Sequence, residues 1–256
     1  MTLLSAEQKI LLDKAINLHK EGKIQEAIDL YISLFDNNKN NPQLLFLLGT
    51  AYVQIKDTSK GIELLKKSIS LKPENALAHS NLGNALREFG HFEEALESYN
   101  KAIQINSNYA DAYSNRGIVL QEMKRYEEAL ESYNKAIQIK PDHFFAYGNR
   151  GITLKDLDRY EEALNSYDKA IKINPNYIEA FNNKGNVFKN LKRYEEALEN
   201  YKKVMELKLD YDYIIGKVLH LSMFLCDWSN FDSLTSQINK ALKKRNKVIE
   251  PFSYLG

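Results

Sequence analysis

Apolar and aromatic residues recur along this chain at positions 4, 7, 11 and 14 of a 34-residue unit, and again at 17, 20, 24 and 27. Both sets step by i, i+3, i+7, i+10, the period of one face of an α-helix. The unit therefore predicts two amphipathic helices joined by a short turn. The run 92–103 returns almost unchanged from Tyr126, Tyr160 and Tyr194, each 34 residues after the last. Such spacing is the mark of a tandem array. Six units follow in this register: 8–41, 42–75, 76–109, 110–143, 144–177 and 178–211. Position 8 is small throughout (Ala15, Gly49, Gly83, Gly117, Gly151, Gly185), and so is position 20 (Ala27, Gly61, Ala95, Ala129, Ala163, Ala197). Position 24 is bulky: Tyr31, Leu65, Tyr99, Tyr133, Tyr167 and Tyr201. Small residues let two helix backbones approach, and bulky ones fill the space beside them. Pro73, Pro141 and Pro175 end one helix, and Asp142 or Asn176 is expected to cap the next. Units one and two are looser. Thr58, Ser59 and Gly61 weaken the second helix of unit two, which predicts a less stable end there.

These residues resemble the tetratricopeptide repeat, over residues 8–211. The resemblance implies an all-α fold, a right-handed superhelical solenoid of antiparallel helix hairpins with a C-terminal capping hairpin. Residues 1–7 then form a lead-in, 212–245 a degenerate capping hairpin, and 246–256 a linker or tail. In the tail, 212–225 and 231–244 read as helices, with Ser229 and Asp232 as a capping box. Trp228 and Phe231 stand at positions 17 and 20, where they are expected to seal the open end of the core.

The wording of that tail is more particular. Leu219, His220, Met223, Leu225, Cys226, Asp227, Trp228, Ser229, Phe231 and Asp232, with Pro251 and Phe252, form one string. It resembles the junction between repeats and catalytic region in the O-linked N-acetylglucosamine transferase family and its bacterial relatives. The family's two-lobed sugar-nucleotide region would begin where this chain stops, at Gly256. The expectation is a non-catalytic chain, the substrate-recruiting region of a protein O-glycosylation system. Two alternatives stand beside it: part of a longer glycosyltransferase, or a stand-alone assembly adaptor.

The first helix of each unit carries a second stripe, at positions 2, 5, 6, 9, 12 and 13. In tetratricopeptide arrays that stripe lines the concave groove. Position 6 holds Asn81, Asn115, Asn149 and Asn183; position 9 adds Asn84 and Asn186, and position 5 adds Asn182. A carboxamide both donates and accepts, and so does a peptide unit. Such a row suits an extended peptide or protein segment held by its backbone. The transferase family has an asparagine ladder of this kind, matching the four position-6 residues. The competing reading has each asparagine bonded locally within its own hairpin. A carboxylate clamp needs aligned cations, but position 5 holds Ser80, Ser114, Gly148 and Asn182.

Composition narrows the rest. Lys plus Arg is 35 against 34 for Asp plus Glu, a net charge of +1. A nucleic-acid or anionic-membrane binder needs a charge surplus, so neither partner is expected. One cysteine excludes internal disulfides and paired-cysteine zinc sites, and a buried structural role is expected for Cys226. His19, His79, His91 and His143 show no metal spacing, and the glycines form no phosphate loop, so no metal or cofactor is expected. No stretch is apolar enough to span a membrane and no leader is visible, which points to the cytoplasm. Exposed solenoid faces would allow a homodimer. The Glu-Glu pairs from Glu93, Glu127, Glu161 and Glu195 open second helices, where acidic residues suit the dipole. Arg125, Arg159 and Arg193 are expected on the same surface. Arg116, Arg150 and Lys184 replace leucine at position 7, either covering apolar surface with their stems or offering charge to a ligand. Lys240, Lys243, Lys244, Arg245 and Lys247 are read as cations closing a helix.

Overall fold

The structure is a computed structural model describing residues 5–36, 38–208 and 213–243. Its regular structure is all-α among the described residues, and it falls into two compact units, Met1–Ile139 and Lys140–Gly256. The first unit holds α1 (Ala6–Lys20), α2 (Ile24–Phe35), α3 (Pro42–Gln54), α4 (Thr58–Leu71), α5 (Ala76–Glu88), α6 (Phe92–Ile105), α7 (Ala110–Glu122) and α8 (Tyr126–Ile139). The second holds α9 (Phe144–Asp156), α10 (Tyr160–Ile173), α11 (Ile178–Asn190), α12 (Tyr194–Leu207), α13 (Ile214–Phe224) and α14 (Phe231–Lys243). Within each unit consecutive helices pair as hairpins, and each hairpin packs on the next.

The core follows the repeat. Ala27, Ala95, Ala129, Ala163 and Ala197 are fully buried, and so are Tyr31, Tyr99, Tyr133 and Tyr167. Position 8 explains how the tyrosines fit. A Cβ on Gly117, Gly151 or Gly185 would lie 2.6 Å from the ring of Tyr133, Tyr167 or Tyr201. These three hairpins, and the one that sets Gly83 against Tyr99, are therefore closed by a ring lying where a side chain would otherwise be.

Helix starts are less uniform than the sequence suggests. Asn41 and Asn75 cap α3 and α5 through their side chains, and Ser5 with Gln8 forms a capping box on α1. Asp142 and Asn176 do not cap, because the N-cap falls one residue later, on His143 and Tyr177. The Asn176 N–H instead bonds Asn174 Oδ1.

The first helix of every hairpin ends in the same way. Position 15 adopts positive φ in every hairpin: Gly22, Lys56, Gly90, Lys124, Asp158, Lys192 and Cys226. The next residue's N–H returns to the carbonyl of position 11, as in Arg125 to Leu120 and Arg193 to Phe188. This is the left-handed helix stop that glycine fills without strain. The expected result is that Lys124→Gly and Lys192→Gly each stabilise the fold by about 1 kcal/mol. Urea midpoints followed by circular dichroism would show it. Unchanged midpoints would mean that the flanking bonds already absorb the backbone strain.

Candidate functional site

The asparagine positions lie on the first helices, and their side chains are half-buried. In the first unit, Asn81 Nδ2 donates to Thr50 Oγ1 at 3.0 Å, and Asn115 Nδ2 donates to Asn84 Oδ1 at 3.1 Å. Position 6 of one hairpin thus bonds position 9 of the hairpin before it. The local bond is real, but it runs between hairpins and not within one. Asn84 Oδ1 also accepts from the Tyr99 hydroxyl at 2.6 Å. The Asn84 and Asn115 carboxamides are therefore tied both to the core and to each other.

The second unit repeats the scheme with a lysine. Lys217 follows Asn183 by 34 residues and so holds position 6 of the last hairpin. Its ammonium donates to Asn182 Oδ1 at 3.0 Å and Asn186 Oδ1 at 3.3 Å. Asn186 Oδ1 also accepts from Tyr201 at 2.7 Å. Thr50 and Lys217 are the members of this row that reading by residue type missed. The 34-residue spacing alone would have found Lys217.

Asn149 and Asn183 differ. Their carboxamides have no hydrogen-bond partner among the described residues. For Asn183 the cause is Ile152 at position 9 of the preceding hairpin, which offers no acceptor. Ile152 likewise offers no acceptor to the buried Tyr167 hydroxyl, which has no partner among the described residues.

Position 5 is corrected. Ser80 and Ser114 are buried and do not line a groove. Gly148 is buried too, and a Cβ there would lie 2.7 Å from Tyr177. Asn182, at the same position, is half-buried and held by Lys217.

Position 7 resolves toward packing. Arg116 Nε donates to Ser132 Oγ at 3.1 Å, and its guanidinium lies 5.3 Å from the Tyr113 ring centre. Arg150 makes the matching contacts with Ser166 and Tyr147, and burial lowers its pKa. Lys184 bonds Asp168 and lies over Phe188. Arg125, Arg159 and Arg193 pair with Glu128, Glu162 and Glu196 three residues on. Each carboxyl is held below its ordinary range by the hydrogen bond to its arginine.

The junction departs most from expectation. Trp228 does not seal the core. It is 55% exposed and meets Phe231 edge-on at 5.4 Å. The end is closed instead by Ile214, Ile215, Val218, Leu219 and Leu221 of α13, with Leu234 and Ile238 of α14. Cys226 is exposed, not buried, because it occupies the left-handed turn position where the chain leaves the helix. Ser229 Oγ bonds Asp227 Oδ1 at 2.6 Å, which takes the place of the expected box with Asp232. Most of the basic cluster, from Lys244 on, lies outside the described residues.

Among the described residues no group of three His, Cys, Asp or Glu could hold a metal, and no helix is long and apolar enough to cross a membrane. The geometry of the described residues offers hydrogen bonding and charge.

Known proteins agree on the architecture. Family models described as TPR repeat match residues 83–124 and 153–192. Models described as tetratricopeptide repeat match 110–143 and 178–211, 64–97 and 132–165, and 42–75. A crystal structure of MamA is 31% identical with a TM-score of 0.58, covering 65% of this chain and 91% of that one. PilF of Pseudomonas aeruginosa is 22% identical with a TM-score of 0.68, covering 78% of this chain and 90% of that one. YrrB, a TPR protein with an unusual peptide-binding site, is 20% identical with a TM-score of 0.58, over 75% of this chain and 97% of that one. The curated proteins give no match. Repeat length, helix pairing and these matches agree: the chain belongs to the tetratricopeptide repeat family.

Proposed function

We propose that this chain is a non-catalytic scaffold that holds an extended peptide or protein segment along its asparagine positions. The observation that carries this reading is the pair Asn149 and Asn183. Both carboxamides are half-buried on first helices of the second unit and lack a partner among the described residues. Each offers a donor and an acceptor, as a peptide backbone does. In the first unit, Asn115 Oδ1 and Asn84 Nδ2 keep the same capacity beyond the bonds already named. YrrB, of the same fold, supports the reading as a TPR protein with a peptide-binding site.

Peptides selected from a display library of random linear sequences supply the probe. Asn149→Ala with Asn183→Ala is expected to weaken the selected peptides by about ten- to thirtyfold, two lost hydrogen bonds at about 1 kcal/mol each. The melting temperature should hold, since no internal bond is lost. Asn115→Ala should instead lower stability, because it releases Asn84. Equal calorimetric affinity of the double variant would remove the asparagine row from the site.

The finer context we propose is protein O-glycosylation, as the recruiting region of a transferase. Its support is the junction string around Cys226, Asp227 and Trp228. Antibody against the repeats, applied to source cells, tests it. A product far above the calculated 29.6 kDa that transfers sugar supports the context. A product near that mass, with no transferase co-purifying, leaves a binding scaffold outside glycosylation.

A further inference from the structure

Arg116 and Arg150 show how this repeat holds a guanidinium. Arg116 Nε donates to Ser132 Oγ at 3.1 Å and its Nη1 to Asn100 Oδ1 at 3.1 Å, beside the Tyr113 ring. Arg150 Nε donates to Ser166 Oγ at 3.2 Å beside Tyr147. Ser132 and Ser166 each donate their own proton to the carbonyl four residues back. Each hydroxyl thus donates into its helix and accepts from the arginine.

One hairpin earlier the niche is empty. Leu82 stands at the equivalent position 7, too short to reach and without a polar atom. Ser98 is still there, only 7% exposed, donating to Glu94 O at 2.9 Å. No donor reaches its hydroxyl oxygen among the described residues. A cavity of about 340 Å³ opens beside it, lined by His79, Leu82, Leu86, Glu94, Glu97 and Ser98. That is the low end of the ~300–1,000 Å³ range of small-molecule sites, so it suits one side chain better than a long segment. Lys66 and Lys101 also border it; Lys66 pairs with Glu94 at 3.0 Å, and the Lys101 ammonium is turned to Gln104 Oε1 at 3.3 Å. Glu97 has no ion pair among the described residues.

We propose that this cavity binds a guanidinium group. The planar group would donate to Ser98 Oγ as Arg116 does to Ser132, with the Glu97 carboxylate as counter-charge and Leu82 and Leu86 under the stem. Arginine fits this better than lysine, because its planar fork offers several donors at fixed angles. The site is independent of the asparagine row. At about 100° per residue, residues 79, 82 and 86 lie on one side of α5, and Asn81 and Asn84 on the other.

Methyl-resolved NMR of the full chain, observing Leu82 and Leu86, tests the proposal. The probes are N-acetyl-arginine amide, the matching lysine amide, and a linear peptide with one arginine. The arginine compounds should shift the leucine signals saturably, and the lysine amide should bind about tenfold more weakly. Ser98→Ala should weaken arginine binding several-fold. Leu82→Arg should fill the niche from within, abolish binding, and hold or raise the melting temperature. A peptide that binds more tightly than the amide identifies a partner segment as the source. Equal binding identifies free guanidinium compounds, and both support the site. No saturable shift, equal lysine affinity, or undiminished binding by the Leu82→Arg variant would overturn it. If that variant fails to fold, Ser98→Ala decides, and unchanged affinity overturns the proposal.

Discussion

Gly117→Ala should lower stability by about 1–2 kcal/mol, although alanine is the better helix former. Two effects compete. Replacing a mid-helix glycine gains about 1 kcal/mol of helix propensity. Overpacking a filled core costs about 1–3 kcal/mol. The added Cβ would sit 2.6 Å from Tyr133 Cε1 and 2.8 Å from its Cζ, inside any ordinary carbon contact. Tyr133 is fully buried, so its ring has no solvent side to retreat to. The hairpin must open, and packing wins. Gly61→Ala should behave alike, although every other unit has alanine there. Its Cβ would lie 2.4 Å from Val53 Cγ2 and 2.9 Å from the Gly49 carbonyl oxygen, which cannot move alone. Gly61, read from sequence as a weakness of its helix, is what lets α3 and α4 approach. Urea midpoints measure both variants. A rise in either would show that propensity outweighs packing.

Periodic features were legible because each is set by side-chain type at a fixed spacing. The helices, the small positions 8 and 20 and the buried tyrosines all belong here. Features set by backbone conformation were hidden. Position 15 takes positive φ with Gly22 and Gly90 but also with Lys56, Lys124, Asp158, Lys192 and Cys226. The two glycines were the available signal, and the lysines masked it. Position 5 belongs by helical spacing to the stripe 2, 5, 6, 9, 12 and 13 that the tetratricopeptide resemblance assigns to the groove. Packing decides otherwise, since Tyr177 fills the space over Gly148. The asparagines were legible as residues but not as partners. Whether one is tied depends on position 9 of the previous hairpin: an acceptor in Thr50 and Asn84, none in Ile152. Trp228 misled because size suggested burial, while α13 supplies enough aliphatic surface to close the end without it.

The buried tyrosines should make this fold fail in alkali, and Tyr167→Phe should delay the failure. Burial pushes the Tyr31 hydroxyl up to about 12, and raises Tyr99 and Tyr167 further. A tyrosine in the unfolded chain titrates near 10. Between about pH 10 and the native value, the folded state keeps a proton that the unfolded state has lost. Stability therefore falls as pH rises there and is flat below it. Each of Tyr99 and Tyr167 removes about 1.4 kcal/mol per pH unit above about 10. At about pH 11.5 the two together remove about 4 kcal/mol, a large share of a domain stability of ~5–15 kcal/mol. Tyr99→Phe is an impure control, since it also breaks the bond to Asn84. Tyr167→Phe is clean, because its hydroxyl is buried without a partner. Removing an unpaired buried polar group is neutral or stabilising near neutral pH, and it deletes one titration. Urea midpoints at neutral pH and at about pH 11.5 should show a smaller alkaline loss for Tyr167→Phe than for the parent chain. If both lose the same stability, the Tyr167 hydroxyl is not held from solvent in the folded chain, and the ring does not close its hairpin as the Gly151 contact requires.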